Sequence, residues 1–174
     1  MRTRKITVVP YDVSWKSAFD AIRLEIEGAV GEYIVGVEHV GSTSVVGMRA
    51  KPCIDIDVII KDYSVFDKVV QGLSLIGYFH EGDLGIKDRE AFGYSGKGHL
   101  MNHHLYVCPL ESEELKRHIA FRDYLRKNPD AIEEYSRIKE VAASRFPDDI
   151  DGYIEYKAPF IREVLKNELW NGEK

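Results

Sequence analysis

Asp55 and Asp57 stand two residues apart in the run Cys53–Ile60, CIDIDVII. Successive side chains of a strand point to opposite faces. As a strand, this run carries Cys53, Asp55, Asp57 and Ile59 on one face and Ile54, Ile56, Val58 and Ile60 on the other. Two carboxylates held side by side repel each other unless a cation lies between them or one takes a proton. Such hard oxygen ligands suit Mg²⁺ or Mn²⁺, which also binds substrate phosphates. Upstream, Gly41-Ser42 closes the alternating run Tyr33–Val40. A Gly-Ser turn entering a short helical or irregular passage exposes backbone N–H groups and a hydroxyl, which suit phosphate oxygens. Lys51, ahead of Pro52 at the mouth of the aspartate strand, is within reach of a phosphate; the commoner fate of a lysine is a solvated surface position. Either half of this arrangement is common alone; their order and spacing together are more specific.

The elements that position these residues follow from periodicity. Ile6–Val9 reads as a short strand ended by Pro10. Ser14 caps a helix whose apolar residues Trp15, Phe19, Ile22, Ile26 and Val30 recur at spacings of three and four. Asp62 or Ser64 caps a second helix with Val65, Phe66, Val69, Val70, Leu73 and Ile76 on one face, stopped by Gly77. Strands are expected at Tyr78–His80, near Ala91–Tyr94 and over His99–Cys108. In the last, Leu105 and Val107 alternate with Asn102, His104 and Tyr106, which therefore share the aspartates' face if the apolar sides of both strands pack on helices. Beyond Pro109 the pattern is helical: Glu111–Lys127, a segment opening at Asn128-Pro129, and Ile150–Trp170 with Pro159 as a kink or break. The sum is an α+β fold with helices on one face of a sheet, residues 1–110 forming the core and 111–174 a helical portion packed on it as one compact unit.

A formal charge of −5 over 174 residues argues against a general nucleic-acid partner. The apolar stretches are strand-sized, too short for a membrane span, and Met1–Pro10 lacks the apolar run of a secretory signal. Cys53 and Cys108 fall inside expected strands without C-x-x-C spacing, as free thiols of a cytoplasmic protein do.

The order apolar residue, Gly, Ser, a dozen residues, Asp-apolar-Asp resembles the signature of the nucleotidyltransferase superfamily related to DNA polymerase β. The words EHVGSTSVVGMRAKPCIDIDV (Glu38–Val58), HHLYV (His103–Val107) and FRDYLRKNP (Phe121–Pro129), with Tyr153, Lys157 and Phe160-Ile161, look like the GrpB-like family, a branch of that superfamily. The match runs over nearly the whole chain, departing at Val46 and Met48, where the family has proline and leucine. The resemblance implies a nucleotidyltransferase-like mixed sheet and a C-terminal helical portion. By analogy, Gly41, Ser42 and Ser44 hold a nucleoside triphosphate and Asp55 and Asp57 bind Mg²⁺. Arg122 and Lys157 match family positions that line the same cleft, with a surface cation as the alternative for each. Active relatives use a third carboxylate on a later strand. Here that strand offers Asn102, His104 and Tyr106, of which His104 is either a general base or a packed or substrate-binding histidine. Relatives fused to dephospho-CoA kinase suggest a link to coenzyme A.

Two functions are therefore expected. One is a Mg²⁺-dependent transferase moving a nucleotidyl group from a nucleoside triphosphate to a small-molecule or protein acceptor. The other is a catalytically silent nucleotide- or CoA-binding regulatory module. His39 alternates with Val35 and Val37 and reads as a hydrogen-bonded strand histidine; His80, His99 and His118 show no metal-binding spacing.

Overall fold

The computed structural model describes residues 5–170; Met1–Arg4 and residues 171–174, part of the expected helical portion, lie outside the described residues. Five strands, β1 (Gly36–Val40), β2 (Ile54–Ile60), β3 (Tyr78–Gly82), β4 (Glu90–Tyr94) and β5 (His103–Pro109), form one sheet in the order β1-β2-β5-β4-β3. β2 and β5 are parallel and every other pair is antiparallel, so the sheet is mixed. Ile6–Val9 does not join it. That segment makes one bridge, Val9 to Ala50, and Ile6 donates to the Pro147 carbonyl at 2.7 Å.

One face of the sheet is built for burial. Ile54, Ile56, Val58 and Ile60 have no exposed surface and meet Leu105 and Val107 beneath helices α1 (Ser14–Val30) and α2 (Phe66–Ser74). α1 contributes Trp15, Phe19, Ile22, Ile26 and Val30, the stripe its spacing predicts. Its first turn is held by the Asp12 carboxylate, which accepts from the Ser14 N–H at 2.8 Å, so Asp12 and not Ser14 does the capping. Asp62 does the same for the 3₁₀ turn Tyr63–Val65 that leads into α2.

The opposite face carries the aspartates and is only partly covered. Helix α3 (Glu113–Lys127), capped by Ser112, packs Leu115 and Ile119 against Ile59 and Cys108 at one end of it. Helices α4 (Pro129–Arg145) and α5 (Ile150–Trp170) complete the helical portion, and α5 runs unbroken through Pro159. Leu125, Ala131 and Tyr135 close around Val45 and Met48, with Phe160 and Ile161 against them. The irregular passage after Gly41 is thus clamped between sheet and helices. No helix among the described residues is long and apolar enough to cross a membrane.

The buried face sets a stability prediction. Ile56→Ala lowers the unfolding free energy by about 2–5 kcal/mol, whereas Val35→Ala, at an exposed position, changes it by less than about 0.5 kcal/mol, both read from urea denaturation.

Candidate functional site

Gly41 has φ of +73°, a backbone conformation open to glycine and strained for other residues. A Cβ at this position would lie 2.2 Å from Asp55 Oδ2, nearer than atoms can approach. Glycine thus lets the backbone at the end of β1 rest directly on the first carboxylate. The next residues form a 3₁₀ turn, Ser42–Ser44. Its outer side is pinned: Thr43 Oγ1 bonds His39 Nε2 at 2.9 Å, and Arg126 gives Nε and Nη2 to the Ser44 carbonyl at 3.1 and 2.8 Å. The Ser44 hydroxyl donates to the Gly41 carbonyl. Ser42 alone of the turn's hydroxyl residues lines both cavities beside Asp55; Ser44 is buried and borders a cavity on the far side of the turn.

The strand register brings His104 opposite Asp55, Tyr106 opposite Asp57, and Glu38 of β1 opposite Asp57. His104 shares the aspartates' face, as its alternation predicts, while Asn102 precedes the strand. His104 Nδ1 donates to Asp55 Oδ1 at 2.9 Å. The Asp55 carboxylate, with the Cys53 sulfur beside the ring, raises the imidazole pKa to about 10. Asp57 is fully buried. Its Oδ2 accepts from His118 Nδ1 at 2.6 Å, and its Oδ1 has no hydrogen-bond partner among the described residues. Burial pushes the Asp57 carboxyl up, opposed by His118. His118 also meets Glu114 Oε1 at 3.3 Å; burial disfavours its charge, but the two carboxylates outweigh it and raise its pKa to about 9.

A lysine cluster faces Asp55. A cavity of about 210 Å³ is lined by Ser42, Asp55, His104, Lys51, Lys139 and Lys157, among others. The Lys51 and Lys157 ammonium groups lie over the Tyr153 ring, 5.3 and 4.7 Å from its centroid. Lys139 is 1% exposed and donates to the Arg49 carbonyl. Burial, with Lys157 nearby, lowers the Lys139 pKa to about 6; burial, with Lys51 nearby, lowers that of Lys157 to about 8. Among the described residues none of the three has a carboxylate at ion-pairing distance. On the other side of Asp55, a cavity of about 360 Å³ is lined by Gly41, Ser42, His118, Phe121, Tyr135 and Arg162, among others.

The structure thus brings Gly41, Ser42, Lys51, Asp55, His104 and Lys157 together, with Asp57 beneath. Arg122 does not join them. It pairs with Glu38 at 2.6 Å and Asp123 at 3.0 Å, donates to the His39 carbonyl at 3.0 Å, and lines the cavity behind the turn. Two site residues escaped sequence reasoning. His118 carries no signal beyond its helical spacing from Glu114, and Lys139 lies in a helix whose pattern marks it as no different from any solvated lysine. Among the described residues no group of three or more His, Cys, Asp or Glu forms a ready-made metal site. The two carboxylates nonetheless suit a hard cation as part of a shell, because the buried Asp57 Oδ1 is an acceptor with nothing to accept from.

The sequence pattern of the GrpB protein family matches residues 5–167. The chain belongs to the GrpB family. It is 32% identical to the glutamate-rich protein GrpB of Alkalihalophilus pseudofirmus over 170 residues, 95% of this chain and 96% of that protein. The crystal structure of GrpB from Enterococcus faecalis superposes with a TM-score of 0.84 at 31% identity, covering 97% of this chain and 100% of that one. The Cid1 poly(U) polymerase in its MgGTP-bound structure is similar at a TM-score of 0.52 and 12% identity, covering 81% of this chain and 44% of that one. That likeness shows the fold: this GrpB protein has the nucleotidyltransferase architecture. The chain spans about half of some relatives, 47% of YqkA from Bacillus subtilis (30% identical, 94% of this chain) and 45% of a dephospho-CoA kinase from Mycolicibacterium paratuberculosis (26% identical, 92% of this chain).

Gly41→Ala in this GrpB protein combines positive φ with collision against Asp55 and destabilises by more than about 1 kcal/mol, while Gly28→Ala, helical and with open space around it, stabilises by about 0.4–1 kcal/mol. Thermal unfolding of both variants tests this. The His104 pKa is raised above the ordinary value of about 6.5, so its pairing with Asp55 stabilises fully below that value and is lost as pH rises through about 10. In EDTA, the stability gap between wild type and His104→Gln is largest near neutral pH or below and closes toward pH 10; a gap independent of pH contradicts the pairing.

Proposed function

We propose that this GrpB protein is a nucleotidyltransferase that moves a nucleotidyl group from a nucleoside triphosphate to a small-molecule or protein hydroxyl. The observation that carries this reading is the juxtaposition, across Ser42, of the Asp55/Asp57 pair with three lysines that have no carboxylate partner among the described residues. Asp55 and Asp57 would hold Mg²⁺ (or Mn²⁺). When bound, the ion supplies charge neutralisation on the transferred phosphate and orientation of the attack. Lys51, Lys139 and Lys157 neutralise the remaining phosphate charge, and the burial that lowers the Lys139 and Lys157 pKa values in the free protein is offset when an anion sits beside them. Gly41 brings backbone N–H groups to the phosphates, while Phe121 lines the neighbouring cavity where a base would lie.

In the transfer, the acceptor oxygen bonds the α-phosphorus, the bond from that phosphorus to the bridging oxygen breaks, and pyrophosphate leaves with its electron pair. His104, protonated while it bonds Asp55, positions that carboxylate. The acceptor proton passes to solvent at the half-exposed His104 edge. The fold shared with Cid1, whose structure holds MgGTP, supports this reading.

A second reading, a catalytically silent nucleotide- or CoA-binding module, is favoured by β5, which sets His104 and Tyr106 where active relatives are expected to have an acid. The similar dephospho-CoA kinase supports a coenzyme A link.

One set of measurements separates the two. MgATP or MnATP at a hundredfold excess over Kd raises Tm by about 5–10 °C, and Asp55→Asn with Asp57→Asn abolishes the rise; an undiminished rise removes the metal assignment. Incubation with α-labelled nucleoside triphosphates and a metabolite extract yields labelled acceptor if the protein is a transferase. A Tm rise with ATP or CoA but no label transfer supports the silent module. His104→Ala lowers turnover and spares nucleotide binding, with His104→Gln, which keeps an N–H toward Asp55, retaining more activity.

A further inference from the structure

Behind the Ser42–Ser44 turn lies a separate cavity of about 660 Å³. Its floor is apolar, formed by Phe19, Val37, Val45 and Ile132. The His39 ring stacks on Phe19 with centroids 4.6 Å apart, and burial holds this histidine uncharged, its pKa lowered to about 4, so it adds a flat wall and no cation.

The rim is unevenly charged. Lys16, Arg23, Arg122 and Arg126 face two carboxylates, Asp20 and Glu38. Both carboxylates are taken: Asp20 by Lys16 at 3.1 Å and Arg23 at 3.3 Å, Glu38 by Arg122 at 2.6 Å. Asp123, also near, goes to Arg122 at 3.0 Å. Arg126 is left with no carboxylate partner among the described residues. It spends Nε and Nη2 on the Ser44 carbonyl, and no bond from its Nη1 is made among those residues.

A guanidinium without its counter-ion at the edge of an apolar basin matches a planar anionic group on a hydrophobic body. The cavity shares only Thr43 with the lysine cavity and no residue with the Phe121 cavity. A ligand here meets the turn from behind, in a cavity that Asp55 does not line. We propose that this cavity binds a small organic anion, with its carboxylate or phosphate on Arg126 and an aromatic or branched aliphatic body over Phe19 and Val37. Through Ser44, the ligand acts on the Gly41-Ser42 turn as an effector and not as a reactant. This proposal stands whether or not the protein transfers nucleotides.

The test is a titration of the full chain with phenyl phosphate and with benzoate, and with benzyl alcohol as the uncharged control, followed by amide NMR. Saturable shifts at His39, Thr43 and Ser44 that extend to Gly41 and Ser42 are expected with one or both anions; which anion binds more tightly identifies the head group. Benzyl alcohol binds about tenfold or more weakly, and Arg126→Gln loses the anion by a similar factor. Arg126→Lys retains part of the affinity with an undisturbed fold, and Ile132→Trp, which fills the basin and leaves Arg126 in place, blocks binding. Asp55→Asn leaves the titration unchanged. Shifts centred on Lys51, Lys139 and Lys157, equal affinity in Arg126→Gln, no saturable shift with either anion, or shifts that stop short of Gly41 and Ser42 each overturn the proposal.

Discussion

Asp55 and Asp57 project from the same face of one strand, and their repulsion has to be answered by whatever surrounds them. The protein answers it with histidines reached from two directions, His104 from the neighbouring parallel strand and His118 from α3. Each imidazole takes one oxygen of its partner and is held protonated by it. Among the described residues the buried Asp57 Oδ1 has no hydrogen-bond partner, and a carboxylate oxygen so placed suits a hard cation. Gly41 belongs to the same arrangement, since only a residue without Cβ lets the β1 end approach Asp55 so closely.

The turn after Gly41 separates two charged spaces of different character. On the aspartate side, lysines line a small cavity, the charges of Lys139 and Lys157 disfavoured by burial and by a neighbouring lysine. On the other side, arginines border a larger and more apolar cavity, and one of them holds the Ser44 carbonyl. The helical portion supplies cations to both spaces: Lys139 and Lys157 to the first, Arg122 and Arg126 to the second. The docking of α3, α4 and α5 on Val45 and Met48 fixes the turn and assembles both cavities.

Much of this was legible in the sequence because it is local. The period-two alternation of Ile54–Ile60 and of His103–Val107 determines which side chains share a face, while the pairing of His104 with Asp55 also requires β5 to lie beside β2 in the register that sets them opposite each other. Gly41 and Lys51 were legible from their position around the aspartate strand. What escaped depends on tertiary docking. His118 lies 61 residues beyond Asp57 in the chain and meets it only because α3 crosses that end of the sheet. Lys139 reads as a solvated helix residue until its burial against Tyr135 is seen. Arg122 has the right type and the right helix but an orientation set by Glu38, which carries it behind the turn. Ile6–Val9 has strand composition yet stays outside the sheet, held by the Val9–Ala50 bridge and the Ile6 bond to the Pro147 carbonyl.

On the proposed function, the paired aspartates and the lysine cluster together hold a metal-bound nucleotide. Anomalous scattering from crystals grown with Mn²⁺ and a non-hydrolysable ATP analogue tests it most directly. The predicted result is a manganese peak on the Asp55 and Asp57 carboxylates, with phosphate oxygens turned toward Lys51, Lys139 and Lys157. No manganese at the aspartates, or phosphates seated instead against Arg122 and Arg126, would contradict it.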